Sequence, residues 1–329
     1  MRVLLVTNMY PTKELPHFGI FVKEQVESLR ALGVEIDVLF INGKKSKLEY
    51  LRGFPRLWRR VQKESYDLIH AHYVLAGAVA RTQRSVPVLL THHGPEVFMT
   101  WQAWVSRLIT GSFESVIVVS REMKDRLGAG KAHVIPCGID LQHFHSRDKE
   151  ECRRELGLPL DKKLVLWAGE HTRPEKRFEL VQAAMDRLRF VRPDVELVLL
   201  SGKPHDVVPA YMNACDVLVL TSDAEGSPMV IKEAMACNLP VVSTAVGDVA
   251  DVIGGTAGCY ITGQNPTEIA WKLALALERG ARTEGRDRVA HLSLDVIGHR
   301  VLGIYQQTIA DSRRQRAAVA PAPEKGRPS

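Results

Sequence analysis

The feature that most constrains the fold of this chain is a regular alternation of short β-branched apolar runs with longer amphipathic stretches. In the first half, the apolar runs predict strands at residues 3–7, 35–41, 67–70, 86–91, 115–119 and 133–136. The stretches between them predict helices at residues 21–32, 48–63, 75–83, 96–109 and 122–127. Continuously apolar strands separated by helices indicate a parallel sheet that is covered on both faces.

The same pattern is repeated in the second half. It predicts strands at residues 163–167, 196–200, 216–221, 240–245 and 259–262, and helices at residues 175–190, 207–214, 229–237, 266–278 and 294–310. The charged segment 146–162 holds no core strand and separates the halves. We therefore expect an α/β protein with two Rossmann-like doubly wound domains, 1–150 and 160–293, facing a cleft at the carboxyl ends of their strands. The basic, Pro- and Ala-rich tail 313–329 is expected to be disordered.

Cysteine usage and hydropathy restrict the cellular setting. The five cysteines are scattered and form no CxxC pair, which favours reduced thiols in a cytoplasm over a disulfide framework or a zinc site. No segment approaches the roughly 18 apolar residues of a membrane helix. The apolar run at residues 3–6 is too short for the core of a signal peptide. These observations predict a cytoplasmic protein.

The formal charge of +6 is concentrated in one region. Eight Lys and Arg residues lie between Lys44 and Lys63, against Glu49 alone, and large apolar residues are interleaved with them. Such a basic amphipathic pattern is typical either of a solvated helix face or of a helix on an anionic membrane surface. Nucleic-acid binding has less support, because no recognised binding motif accompanies the charge.

The most specific pattern in the second half is the segment 216–240. A strand is followed by Glu225 and Gly226, then by Ser227 as a predicted helix N-cap. Free backbone N–H groups and the helix dipole at such a point favour an anion. Glu233, further along the helix, could accept two hydrogen bonds from a vicinal diol, and Glu225 could bind a neighbouring hydroxyl group. The alternative is a capped surface helix with two solvated glutamates.

A second cluster follows the strand at residues 163–167. Here a glycine-containing turn carries Arg173, Lys176 and Arg177, cations that could hold a diphosphate and stabilise its charge as it leaves. The alternative is an ordinary basic helix start, with Glu175 pairing locally. Because no carboxylate cluster has metal-ligand spacing, we expect no metal.

In the first half, two residues lie where ligands bind such folds. Gly19 opens a helix after a long loop, so its backbone could approach a ligand. His93 follows the fourth strand and could bind a sugar or act on a proton, although a histidine bonded to local backbone is nearly as well supported. Neither GxGxxG nor GxxxxGK[ST] occurs, which argues against a dinucleotide dehydrogenase or a P-loop enzyme.

Taken together, these motifs resemble the retaining glycosyltransferases of family four, which have the GT-B fold. Glu225-Gly-Ser-Pro to Glu233-Ala-Met-Ala resembles their E-x7-E signature, and Thr91-His-His-Gly resembles their T-x-H-G turn. Three further elements agree in order: Val118-Val-Ser, His133-Val-Ile-Pro-Cys-Gly-Ile-Asp and Pro174-Glu-Lys. The resemblance spans about residues 1–310.

The resemblance implies a role for each matching residue. The glutamate at 225 would contact the donor sugar, the glutamate at 233 the ribose hydroxyls, and the histidine at 93 the reacting centre. Lys176 would neutralise the diphosphate. The other donor-side positions are Gly19, Gly226, Ser227, Met229, Val230, Ser201 and Gly202. The family also implies retention of anomeric configuration, no metal cofactor, and a last helix that packs back on the first domain. Glu170 stands where the family often has arginine, so Arg173 is our substitute for that cation, with Arg177 second.

The function predicted from the sequence is therefore transfer of a sugar from a nucleotide diphosphate carrier. Uridine diphosphate sugars are preferred as donors and guanosine diphosphate sugars are the alternative. The acceptor would be a saccharide or a lipid-linked molecule, which would suit a place on the inner face of the membrane. Two other functions stay open: a nucleotide-sugar epimerase on the same fold, and a sugar-nucleotide or membrane-surface binding module without catalysis. The sequence leaves the oligomeric state open.

Overall fold

Two parallel sheets, each covered by helices, form the protein in a computed structural model that describes residues 1–98 and 100–319. The first sheet has the strand order β2-β1-β3-β4-β5-β6 and the second has the order β11-β10-β9-β7-β8. The first sheet contains β1 (Arg2–Thr7), β2 (Glu35–Phe40), β3 (Leu68–His72), β4 (Val88–His92), β5 (Ser115–Val118) and β6 (His133–Val134). The second contains β7 (Lys163–Ala168), β8 (Val195–Leu200), β9 (Val217–Leu220), β10 (Val241–Thr244) and β11 (Tyr260–Thr262). The predicted α/β class with two doubly wound domains is confirmed.

Helices connect the strands and cover both faces of each sheet. The helices of the first half are α1 (Ile20–Ala31), α2 (Leu48–Lys63), α3 (Val74–Ala80), α4 (Pro95–Phe98), α5 (Thr100–Thr110), α6 (Arg121–Leu127) and α7 (Lys149–Leu156). Those of the second half are α8 (Phe178–Val191), α9 (Val208–Ala214), α10 (Met229–Ala236), α11 (Val249–Ile253), α12 (Pro266–Arg279), α13 (Gly285–Val289) and α14 (Leu294–Val319). Contacts of α1 with α14, and of α3 with both α2 and α5, separate the helices of the first sheet into two layers.

The segment 146–162, predicted as a charged domain boundary without a core strand, contains α7. Asp148 caps this helix by accepting a hydrogen bond from the Glu151 backbone N–H at 2.8 Å. The Arg153 side chain is only 2% exposed, donates to the Ala214 carbonyl at 2.8 Å and forms an ion pair with Asp216 at 2.8 Å. Because α7 packs on α9, it belongs with the second domain, and the predicted boundary at residue 150 falls inside a helix. This helix was not predicted because a buried, fully bonded arginine has the same sequence pattern as a solvated one.

The last helix, α14, packs back on the first sheet and is longer than predicted. Ser28 donates to the Leu294 carbonyl at 2.8 Å, and His70 Nδ1 shares a hydrogen bond of 2.7 Å with the Tyr305 hydroxyl. The prediction of disorder from residue 313 is wrong as far as Val319, because the basic residues there bind the first domain: Arg313 pairs with Asp67 at 3.2 Å. Residues 320–329 of the predicted tail lie outside the described residues.

Candidate active site

The two domains meet at three glycines that follow strand ends. Gly94 follows β4, Gly226 follows β9 and Gly247 follows β10. A methyl group on Gly94 would lie 2.9 Å from the Gly226 nitrogen, and one on Gly226 would overlap the carbonyl oxygen of His93. Glu122 on α6 also accepts a hydrogen bond from the Gly247 N–H at 3.1 Å, across the domain boundary. The carboxyl ends of the two sheets therefore face each other at a backbone contact that glycine makes room for.

Beside this contact, an ion pair joins the two clusters singled out in the second half of the sequence. Lys176 Nζ donates to Glu225 Oε1 at 2.5 Å, and Ser222 Oγ donates to the same oxygen at 2.8 Å. The two charged side chains are only 15% and 17% exposed. Thr221 holds the lysine turn in place by donating to the Lys176 carbonyl at 3.0 Å. The pair is possible because β7 and β9, which precede the two turns, are neighbours in the sheet.

Ser227 is not the helix N-cap that the sequence predicts. The helix α10 begins at Met229, the first residue of the predicted helix, and Pro228 occupies the cap position without a side-chain hydrogen bond. Ser227 Oγ instead donates to Asp248 Oδ2 at 2.7 Å. The Ser227 hydroxyl binds this aspartate on the next loop because Asp248 is only 5% exposed, and a buried carboxylate requires hydrogen-bond donors. At the first turn of α10, the backbone N–H groups of Met229 and Val230 still lie where a helix leaves such donors without an intrahelical partner.

A buried lysine completes this arrangement, and sequence analysis missed it. Lys232 is fully buried on α10. Its Nζ lies 3.1 Å from Asp248 Oδ2, donates to Ser227 Oγ, and donates to the Cys137 carbonyl at 3.0 Å. The only signal in the sequence was a lysine inside an otherwise apolar helix segment. The network ties α10 to the loop after β10 and to the segment that leaves the first domain.

Glu233, the second glutamate of the predicted pair, lies on α10 and is 9% exposed. Its Oε1 is 3.9 Å from His205 Nε2. Burial lowers the pKa of His205, but its hydrogen bond and charge interaction with Glu233 raise that pKa overall. Burial raises the pKa of Glu24, on α1 of the first domain, to about 7; the charges of His205 and Glu233 also act on it. A cluster of titratable groups from both domains therefore surrounds the predicted ribose site.

Ser201 and Gly202 lie at the carboxyl end of β8, in the loop that leads to His205. Gly202 has a left-handed backbone with φ of 65°. The His205 ring in turn stacks on His143 with ring centroids 5.1 Å apart. The loop is thus brought towards Glu233, and its contact with a base stays a prediction.

His93 is held between aromatic rings at the end of β4. Its Nε2 shares a hydrogen bond of 2.8 Å with His72 Nδ1, and its backbone N–H donates to Glu96 Oε1 at 2.9 Å. The ring packs 5.0 Å from Phe21 and 4.9 Å from Tyr73. Burial and then the neighbouring His72 hold the pKa of His93 well below its usual range. The imidazole is therefore neutral at pH 7 and can exchange hydrogen bonds, but it is not a cation.

The other cations near Lys176 make different pairs. Arg173 is 43% exposed and bonds to Glu175 Oε1 at 2.5 Å, which is the local pairing considered as the alternative from the sequence. Arg177 bonds to Asp223 at 2.9 Å. Gly19 has a φ of 74°, and a methyl group on it would lie 2.6 Å from the Met9 carbonyl carbon, so intramolecular packing already explains this glycine. The roles of Arg173 and Gly19 towards a ligand stay predictions.

Neither a metal cluster nor a reactive thiol is found among the residues that the structure describes. Residues 1–98 and 100–319 hold no group of three or more His, Cys, Asp or Glu side chains arranged as metal ligands. All five cysteines are free thiols. Burial raises the pKa of Cys137, next to His93, to about 11, so this thiol is not a nucleophile at neutral pH. Within the same ranges, no helix is apolar over a length that would cross a bilayer.

Two doubly wound domains that face each other at the carboxyl ends of their strands have the architecture of the GT-B class of glycosyltransferases. The profile for "Glycosyltransferase Family 4" matches residues 2–143, and the profile for "Glycosyl transferases group 1" matches residues 194–279. TuaC of Bacillus subtilis (strain 168), a glycosyltransferase named for teichuronic acid biosynthesis, is 28% identical, with 77% of this chain and 83% of the relative covered. The chain belongs to the family-4 type of glycosyltransferases.

Solved structures support the fold independently. Sucrose-phosphate synthase of Thermosynechococcus elongatus superposes with a TM-score of 0.79 at 22% identity, covering 94% of this chain and 99% of that chain. Alr3699/HepE of Anabaena, solved in complex with UDP-glucose, superposes with a TM-score of 0.63 at 18% identity, covering 96% and 100%. At these identities the likeness establishes the GT-B fold.

Proposed function

We propose that this glycosyltransferase takes its sugar from a nucleotide diphosphate carrier. The observation that carries the proposal is the Lys176–Glu225 ion pair beside the first turn of α10. A bound diphosphate would attract the Lys176 ammonium and the helix N–H groups. Glu225, released from the lysine, would then accept hydrogen bonds from the donor sugar. The ion pair would thus keep both groups in place and compensate their charges before a donor binds.

The nucleoside would lie on the other side of α10. Glu233 would accept hydrogen bonds from the two ribose hydroxyls, in place of its present neighbour His205. The base would lie against the loop at Ser201 and Gly202. A uridine nucleotide is our preferred choice, supported by the UDP-glucose complex of the structurally similar HepE, and a guanosine nucleotide is the alternative.

We propose that transfer retains the anomeric configuration. The acceptor oxygen would attack from the face on which the diphosphate leaves, forming the new bond to the anomeric carbon as the bond to the phosphate oxygen breaks. The acceptor proton would pass to that departing oxygen. Lys176 would stabilise the negative charge that develops there, and no metal ion would be required. His93, neutral and fixed by His72, would orient the sugar by hydrogen bonding.

The acceptor would be a saccharide or a lipid-linked molecule, and the enzyme would work in the cytoplasm, at the inner face of the membrane. A saccharide is consistent with the name of the relative TuaC. The basic helix α2, which carries most of the cations of residues 44–63, supports the lipid-linked form.

A thermal-shift series tests the donor class directly. Uridine and guanosine diphosphates, and their sugars, would be added to the full chain in the presence of EDTA. A nucleotide at 100 times its Kd should stabilise the protein by about 2.7 kcal/mol, and we expect the uridine series to act at lower concentration. The anomeric configuration of the product, determined by NMR, tests retention. If no nucleoside diphosphate stabilised the protein, the proposal would be wrong.

A further inference from the structure

The helix α5 exposes an apolar stripe. Trp101, Trp104 and Leu108 are 54%, 66% and 66% exposed. Their spacing of three and four residues puts them on one face of the helix. On another side, Ser106 is buried and donates to the Glu96 carbonyl at 3.0 Å, which fixes α5 against the domain. Two neighbouring tryptophans that are mostly exposed to solvent form a large apolar patch, and such patches are typical of interaction surfaces.

The helix α2 presents a second surface, on which apolar and cationic residues lie side by side. Gly53 and Leu57 face the core. At 100° per residue, the opposite side holds an exposed apolar stripe and, next to it, a basic stripe. The apolar stripe is Leu48, Leu51, Pro55 and Trp58, and the basic stripe is Arg52, Arg56, Arg59 and Lys63.

Part of the basic stripe carries uncompensated charge. Glu49 pairs with Arg52 at 2.7 Å and with Arg56 at 3.7 Å. Arg59 and Lys63 form no ion pair with any residue in the described part of the chain. The net charge of this surface is therefore positive. Leucine and tryptophan side chains of the apolar stripe lie next to these cations.

Both helices lie in one layer of the first domain and begin at its cleft. The short helix α3 contacts α2 and α5 and lies between them. Helix α2 follows β2 and α5 follows β4, so both start at the carboxyl edge of the first sheet, where the domains meet. Leu48 and Trp101, in the first turns, are thus the members of the two stripes nearest to the cleft.

We propose that α2 and α5 together form a docking surface for an anionic lipid bilayer. Trp101, Trp104 and Leu108 enter the interfacial region, where amphipathic aromatic rings are favoured. Arg59 and Lys63 meet the phosphates of the head groups. The partner is a bilayer because a stripe of bulky apolar side chains lies beside the cations, whereas a nucleic-acid backbone would select cations alone. The inference rests on the proposed function only for its consequence, that a lipid-linked acceptor in the bilayer reaches the cleft from this side.

Co-sedimentation of the full chain with vesicles tests the proposal. Vesicles would contain phosphatidylglycerol and phosphatidylcholine, or phosphatidylcholine alone, at low and at high salt. We expect binding to the anionic vesicles at low salt, with a blue shift of tryptophan fluorescence, and weaker binding at high salt. Replacing Trp101 and Trp104 by alanine should lower the partition coefficient at least about tenfold. Arg59→Gln and Lys63→Gln should each lower it about fivefold.

The second domain offers matched controls. Trp271→Ala on α12 removes a tryptophan that is 56% exposed, and Arg187→Gln on α8 removes an exposed cation. Both should bind vesicles like the wild type. Trp104→Gln alone, at the most exposed position, provides the test if the double variant does not fold.

Three results would overturn the proposal: no binding to anionic vesicles, equal loss of binding in the controls, or a wild-type dimer that Trp104→Gln dissociates. The last result would show that a second copy covers the surface. Thermal shifts with uridine diphosphate separate this proposal from the donor proposal. If uridine diphosphate does not stabilise the wild type although the protein binds vesicles, the donor proposal alone is contradicted. If uridine diphosphate stabilises the wild type but the protein does not bind vesicles, the docking surface alone is contradicted.

Discussion

Lys176 Nζ and Glu225 Oε1 lie 2.5 Å apart, and this contact joins the turn after β7 to the turn after β9. Both side chains are mostly buried. Removing the carboxylate charge should therefore change the electrostatics of the site without exposing it to solvent. We expect Glu225→Gln to lower turnover about 10²-fold, since the amide accepts hydrogen bonds from sugar hydroxyls less strongly. Initial rates with saturating donor measure this. Glu179→Gln, a change at an exposed partner of Arg177, is the control, and equal rates in the two variants would contradict the role of Glu225.

The glycine contact between the domains makes a prediction about closure. A methyl group on Gly226 would overlap the His93 carbonyl oxygen, so Gly226→Ala should keep the domains apart. We expect turnover to fall by at least about 10²-fold and the radius of gyration measured by small-angle scattering to increase. Gly303→Ala, on α14 with open space around it, is the matched control and should leave both quantities unchanged. An active, compact Gly226→Ala protein would show that this contact is dispensable.

The buried Lys232–Asp248 pair makes a prediction about stability. Lys232→Met would leave the Asp248 carboxylate buried without its cation, at a cost of about 3–5 kcal/mol in the free energy of unfolding. Adding Asp248→Asn to that variant should recover a large part of the loss, because the uncompensated charge is gone. Urea unfolding of the two variants and the wild type measures both effects. A single variant within about 1 kcal/mol of the wild type would mean that the pair is not important for stability.

Glu24 makes the stability depend on pH. Its pKa rises from 4.5 to about 7 in the folded protein because of burial, with the charges of His205, Glu233, Asp140 and Glu27 acting on it. The folded state therefore binds the proton more tightly, and the contribution of Glu24 to the free energy of unfolding falls as the pH rises from about 4.5 to about 7. We expect Glu24→Gln to gain stability relative to the wild type over this range. Unfolding at pH 5 and pH 7.5 measures it, with Glu35→Gln, a change at an exposed carboxylate on β2, as the control. A pH-independent difference between Glu24→Gln and the wild type would contradict the raised pKa of Glu24.

The sequence was sufficient for the strands and for the residues at their carboxyl ends. A strand such as β1, buried from Val3 to Val6, must be apolar throughout, so its run is unmistakable. The positions of Glu225 after β9 and of Glu233 on α10 likewise followed from local order, and their roles towards a donor stay predictions. The proximity of Lys176 to Glu225 followed from placing both after strands of one parallel sheet.

What the sequence did not predict depends on partners that are distant along the chain. Ser227 is locally a good N-cap, and only the fold brings Asp248 close enough to compete for its hydroxyl. Arg153 has the spacing of a solvated residue, yet carbonyl groups from α9 and from the loop before β7 surround its guanidinium. The hydrogen bond between Glu122 and the Gly247 N–H joins the two domains, and no local sequence pattern predicts it.

The most direct test of the central claim is the rate of sugar transfer by Lys176→Ala. If Lys176 holds the diphosphate of a nucleotide-sugar donor, turnover should fall by about 10²–10³-fold while thermal unfolding without ligand stays near that of the wild type. Lys272→Ala, on α12 of the same domain and stacked on Trp271, is the control and should keep full activity. A Lys176→Ala enzyme that transfers sugar at a near-normal rate would contradict the account.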